Sequence, residues 1–136
     1  MKFFAYGHRE IRANHETTFE FTKDDFVTWK GNCICGIKST FDKKELQKVG
    51  EKVGAEGKLL IKITADGVVE EIIADYNEFY DDDHEFVVRK SDFLDNRTLA
   101  FNTNKASIDF SDEFREKAKD PKMKIEIEVV PYEETA

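Results

Sequence analysis

The stretch GHREIRANHETTFEFT, residues 7–22, sets His8 and His15 among arginines and glutamates. An imidazole near neutral pH supplies a general base, a general acid or a metal ligand. Side chains alternate along an extended strand. On one strand His8, Glu10, Arg12 and Asn14 would share a face, with Arg9, Ile11, Ala13 and His15 on the other. The two histidines then diverge. His15 lies with Thr17 and Glu20 in the tighter polar cluster, so His15 and Glu20 are the catalytic candidates. The competing reading leaves both histidines on solvated or edge positions, paired with Glu10, Glu16 or Glu20.

Cys33 and Cys35 are the only cysteines. Two residues apart on a strand, they point the same way and do not readily close an unstrained disulfide. As thiolates they could share a tetrahedral metal with His8 or His15. No second cysteine pair is present, and alternation with Ile34 fits buried, reduced thiols of a cytosolic protein better. No cofactor is expected. Basic residues offer another chemistry: Lys23, Arg89, Lys90 and Arg97, with His15, could line a cleft for a phosphate or carboxylate. Arg97 shares a strand face with Leu99 and Phe101, and a half-buried arginine needs an anionic partner. The alternative is local work, with Thr22 and Asp25 forming a capping box and Asp92 acting alike. The tract DYNEFYDDDHE, 75–85, lacks the ligand spacing and central glycine of a helix–loop–helix calcium site, and reads as a solvated acidic loop. Trp29 either stacks on a ring or, by default, fills the edge of the core.

The elements that position these residues repeat. FEFTKDDF (19–26) matches FVVRKSDF (86–93), with Asp25 corresponding to Asp92. GNCICGIKST (31–40) then aligns with DNRTLAFNTN (95–104), and KLLIKI (58–63) with KMKIEI (122–127). Between the last two blocks of each unit lies a short helix. Asp42 caps DKKELQKVGEKV, with Glu45 at the capping-box position and Gly54 and Gly57 at its end. Ser111 caps DEFREKAK, and Pro121 prevents continuation. Further strands at 2–13 and 68–75 precede the two units, the second entered through the Asp66-Gly67 hairpin signal. The expected fold is α+β and predominantly β. Duplicated strand–strand–helix–strand units build a compact mixed sheet with two short helices, paired about a pseudo-two-fold axis and closing, or nearly closing, into a barrel.

The 136 residues fit one domain, with units at about 1–66 and 67–130 and a frayed tail at 131–136. Twelve phenylalanines and 40% hydrophobic residues supply a core despite 37% charged residues. The net charge of −8 is uneven: residues 1–67 carry 12 Lys and Arg against 10 Asp and Glu, and residues 68–136 carry 9 against 19. That balance disfavours bulk nucleic-acid binding. No stretch is long and apolar enough for a membrane span, and the N-terminus lacks a secretory pattern, so a cytoplasmic location is expected.

Gly7-His8 with Ile11, Ala13 and His15, Thr17-Thr18-Phe19-Glu20, Gly31-Asn32-Cys33-Ile34, and Arg89-Lys90-Ser91-Asp92 with Arg97-Thr98-Leu99-Ala100 carry a resemblance over nearly the whole chain. On these residues the chain resembles the archaeal family known as domain of unknown function 371. That family's pattern places aspartate after Gly31, where this chain has Asn32. The resemblance implies an archaeal, cytosolic, single-domain protein and no particular activity. TKDDFVTWKGNC is also similar to the turn of cradle-loop barrels. Three function classes remain on these grounds: a binder of a small anionic ligand in a cleft between the halves, a hydrolytic or metal-assisted enzyme centred on His15 with Cys33 or Glu20, and an acidic module that docks a basic partner.

Overall fold

The computed structural model describes residues 1–133. Its strands are β1 (Lys2–Tyr6), β2 (Thr18–Thr22), β3 (Ile34–Gly36), β4 (Lys58–Ala65), β5 (Val68–Tyr76), β6 (Glu85–Arg89), β7 (Thr98–Phe101) and β8 (Lys124–Tyr132). The helices are α1 (Lys43–Val53) and α2 (Asp112–Ala118), with a 3-10 turn at Ser107–Asp109. All eight strands form one mixed sheet in the order β1-β8-β4-β5-β7-β6-β2-β3. The ladder does not run continuously around a barrel. Its two edges meet instead at one antiparallel bridge, where Tyr6 and Ile37 exchange N–H···O bonds of 2.8 and 2.9 Å.

The repeat reappears as pairing register. β2 runs parallel to β3 with Glu20 opposite Ile34 and Phe21 opposite Gly36, a bulge lying between them. β6 runs parallel to β7 with Val87 opposite Thr98 and Val88 opposite Ala100, bulged at the same place. These four positions correspond pairwise at the spacings read from the sequence. Across the antiparallel seams, corresponding residues face each other: Glu20 pairs with Val87 between β2 and β6, and Ile63 with Ile127 between β4 and β8. A pseudo-two-fold axis therefore passes through both seams.

Period-two patterning explains the long strands. Leu59, Ile61, Ile63 and Ala65 of β4 are buried, as are Ile125, Ile127 and Val129 of β8. Asp66 and Gly67, both at positive φ (47° and 81°), form the tight turn from β4 to β5. Phe3, Phe21, Phe41 and Phe86 meet largely edge to face at ring-centre distances of 5.4–6.2 Å, filling the core beneath β2 and β6. Asp42 accepts from the Lys44 N–H to start α1, and Gly54 at φ 75° ends it. Ser111 likewise accepts from the Phe114 N–H to start α2.

Several expectations change. The segment expected to extend from 2 to 13 is a strand only to Tyr6, because Gly7 turns the chain against the end of α2. A Cβ on Gly7 would collide with the Asp120 carbonyl. In the acidic tract, Tyr80 is buried and its hydroxyl donates to the Asp82 carbonyl, while buried Asn77 donates to the Asp95 and Thr98 carbonyls. The loop is anchored through these two residues, while the Asp81 and Asp83 carboxylates are exposed to solvent as expected. Pro131 and Tyr132, expected to fray, belong to β8, and 134–136 lie outside the described residues.

Candidate functional site

The residues expected to do chemistry fall into two clusters. The first lies where the first unit's opening loop meets α2. Gly7 donates to the Met123 carbonyl and His8 to Ala118, so the chain leaves β1 along the end of α2. Ile11 and Ala13 are buried, and Arg12 between them points outward. Ala13 has φ 47°, which ends the alternation. The consecutive residues Asn14 and His15 therefore reach the same cavity. Arg115 of α2 fixes this turn by donating to the carbonyls of Ala13, Ser107, Ile108 and Phe110, the last at 2.7 Å.

Arg12, Asn14, His15, Glu16, Thr17 and Asn32 line a cavity of about 420 Å³. A second, of about 440 Å³, is lined by Arg12, Asn14, Asp112, Arg115, Glu116 and Lys119. Sharing Arg12 and Asn14, they make one groove between the two units. The His15 ring is oriented by its backbone. Its Nδ1 accepts from the Thr17 and Thr18 N–H groups, both at 3.1 Å, and lies 3.0 Å from Thr18 Oγ1. A nitrogen accepting two N–H bonds carries no proton, so the neutral ring bears its hydrogen on Nε2. Among the described residues, no hydrogen-bond acceptor meets that Nε2. The Asn32 amide donates to Asn14 Oδ1 at 3.1 Å, which leaves the Asn14 Nδ2 donor without an acceptor in the described chain. Arg12 donates to the Trp29 carbonyl at 3.3 Å, with its guanidinium 5.2 Å from the indole centre, and pairs with no carboxylate among the described residues. Such a donor set suits an anion.

The second cluster sits on the outer face of β2 and β6, beside the pseudo-two-fold axis. Glu20 is buried, and Arg97 reaches Glu85 at 3.5 Å, Asp95 at 3.6 Å and Glu20 at 3.9 Å. Arg89 donates to Thr98 Oγ1 at 2.8 Å and lies 3.4 Å from Asp95. Burial, then the hydrogen bond to Glu85 and its charge, push the Glu20 carboxyl up to about 9. Its place beside Glu85 in a buried setting thus favours the protonated form of Glu20. Burial and then the Glu20 charge push the neighbouring Cys33 thiol up to about 11, so it is not a nucleophilic thiolate near neutral pH. Arg97 has the anionic partners its position demands, Glu85 and Asp95, and both belong to the chain.

The ligand-binding set anticipated from sequence is therefore not gathered in one place. Arg97 and Arg89 share the second cluster. Lys90 pairs with Asp109 at 2.7 Å, Lys23 lies over the Phe41 ring at 4.5 Å, and His15 is in the groove. Thr22 accepts from Asp24 N–H in place of the capping box foreseen with Asp25. Of the metal candidates, His8 Nδ1 accepts from the Glu10 N–H, Cys33 and Cys35 are free thiols, and Cys35 is fully buried. Among the described residues no three His, Cys, Asp or Glu side chains converge as a metal site. Trp29, expected to fill the core edge, is 58% exposed. Arg12, Asn14, Asn32 and Arg115 were not among the site residues expected from sequence. The usable signal was the Ile11/Ala13 alternation, which turns Arg12 and Asn14 outward together. No helix among the described residues is long and apolar enough to cross a membrane.

Comparison with known proteins supplies the lineage. An uncharacterized protein of the archaeon Methanocaldococcus jannaschii is 37% identical over 123 residues, covering 87% of this chain and 90% of that protein. The family model described as "Domain of unknown function (DUF371)" matches residues 3–131, and the chain belongs to that family.

Proposed function

We propose that this protein binds a small molecule bearing a phosphate or carboxylate in the groove between residues 12–17 and α2. One observation carries the reading. Three neighbouring side chains, Arg12, Asn14 and His15, keep hydrogen-bond donors that no acceptor of the described chain satisfies. Arg97, Arg89 and Lys90 are by contrast neutralised by carboxylates of the chain. The groove also joins the two units, which is where a ligand of a duplicated fold is most naturally held.

Native mass spectrometry of freshly purified protein, followed by titration with inorganic phosphate and a sugar phosphate, tests this. Saturable binding that Arg12→Ala weakens at least tenfold, with the thermal transition unchanged, is the expected outcome. Binding that survives Arg12→Ala, or that Arg97→Ala abolishes instead, would move the site to the second cluster. A second reading follows from the raised Glu20 carboxyl beside Glu85: a carboxyl that keeps its proton toward neutral pH is the acid a hydrolytic enzyme needs. A hydrolytic activity lost in Glu20→Gln would support it.

A further inference from the structure

The groove has an aromatic neighbour that the anion-binding reading leaves unused. Trp29 is the only tryptophan, it is 58% exposed, and it stands against Arg12, which lines both cavities. The contact is built from two directions. The guanidinium lies 5.2 Å from the ring centre, and the same guanidinium donates to the Trp29 carbonyl. Here the neighbouring backbone is committed as well: buried Val27 anchors the loop, and Asn14 N–H donates to the Asn32 carbonyl at 3.0 Å.

Resting on the anion-binding reading above, we propose that the ligand is a mononucleotide, its phosphate held by Arg12, Asn14 and His15 and its base stacked on Trp29. The groove suits the parts between. The Asn14 Nδ2 donor and the Asn32 Oδ1 acceptor, left over from their mutual hydrogen bond, match the hydroxyls of a ribose, which both donate and accept. A combined space of this size is typical of small-molecule sites. An indole offers a flat face to any base and is tolerant of its identity. The net charge of −8 favours a single nucleotide over a nucleic-acid strand, whose many phosphates the acidic second unit would repel.

The full chain should be titrated with adenosine 5′-monophosphate, ribose 5-phosphate, adenosine and a short single-stranded oligonucleotide. Calorimetry gives affinity, and the emission of the one tryptophan gives location. The monophosphate is expected to bind about tenfold or more tighter than ribose 5-phosphate and to quench Trp29 emission. Trp29→Leu should abolish the preference, so that the variant binds the monophosphate and ribose 5-phosphate equally. Equal affinities for the two phosphates, or a Trp29→Leu variant with full preference, would overturn the nucleotide inference while sparing the anion site. Failure of every phosphate to bind would defeat both. Binding of the oligonucleotide alone would replace the mononucleotide with a strand.

Discussion

At the scale of single residues, two side chains carry charge or protons in ways their type alone does not reveal. Glu20 holds its proton up to about 9, whereas an ordinary glutamate in the unfolded chain releases it near 4.5. Between those values the folded state binds a proton that the unfolded state has lost. Stability is therefore greatest below about pH 4.5, as far as Glu20 is concerned, and falls as pH rises toward 9. Glu20→Gln keeps a donor to Glu85 and removes the titration. Thermal melts from pH 5 to 9 should show the variant more stable than the parent above neutrality, by about 1–3 kcal/mol, with the gap widening as pH rises. A gap that stays constant with pH would show that Glu20 ionises normally. His15 serves two purposes at once, since its Nδ1 ties down two backbone N–H groups and its Nε2 faces the groove. His15→Ala should cost about 1–3 kcal/mol by stranding those N–H groups. His15→Asn can restore the turn through its side-chain oxygen and still lack the distal N–H. Near-parental melting with weakened phosphate binding is the outcome for His15→Asn; equal stability loss in both variants would contradict the turn role.

At the scale of elements, two parallel strand pairs and the edge bridge decide where the clusters lie. Each pair is formed when the chain leaves one strand, crosses in a loop, and returns alongside it, which is why the bulges recur at Glu20/Phe21 and Val87/Val88. Gly36 sits where β3 approaches β1, and a Cβ there would stand 2.8 Å from the Ala5 Cβ and 3.0 Å from the Phe21 ring. Nothing about its conformation demands glycine; the packing does. Gly36→Val should loosen the junction of the two sheet edges at Tyr6–Ile37 and lower stability by about 1–3 kcal/mol. Hydrogen exchange would find lost protection concentrated at Tyr6, Ile37 and Thr40, whose N–H groups cross that junction. Unchanged exchange there would mean that the edge bridge contributes little.

At the scale of the molecule, the two units are interleaved. β8 of the second unit lies between β1 and β4 of the first, and β6 pairs with β2, so each unit completes the sheet of the other. Neither has a closed core alone, because Ile61, Ile63, Phe19 and Phe21 are covered across those seams. Residues 1–67 expressed alone should give a collapsed amide spectrum and weak helix and strand signals, and should gain dispersion on mixing with residues 68–136. A well-dispersed spectrum from either half would show an autonomous unit.

Local rules were sufficient for some of this. Asp42, Ser111 and the Asp66-Gly67 turn act through neighbours two or three residues away, and the alternation of β4 and β8 is a property of contiguous chain. The recurring blocks also revealed the twofold plan, because paired registers preserve spacing. Long-range geometry decided the rest. Arg97 was recognisable as needing an anion, yet that Glu85 and Asp95 supply it depends on β6 and β7 being neighbours in space. The groove depends on Ala13 turning at positive φ and on α2 arriving from a hundred residues away to hold that turn through Arg115. Sequence determined the elements and their twofold repetition, since capping, turning and alternation are short-range. Only the tertiary structure decided which donors remain unsatisfied, because hydrogen-bond partners are allotted by proximity in space rather than along the chain.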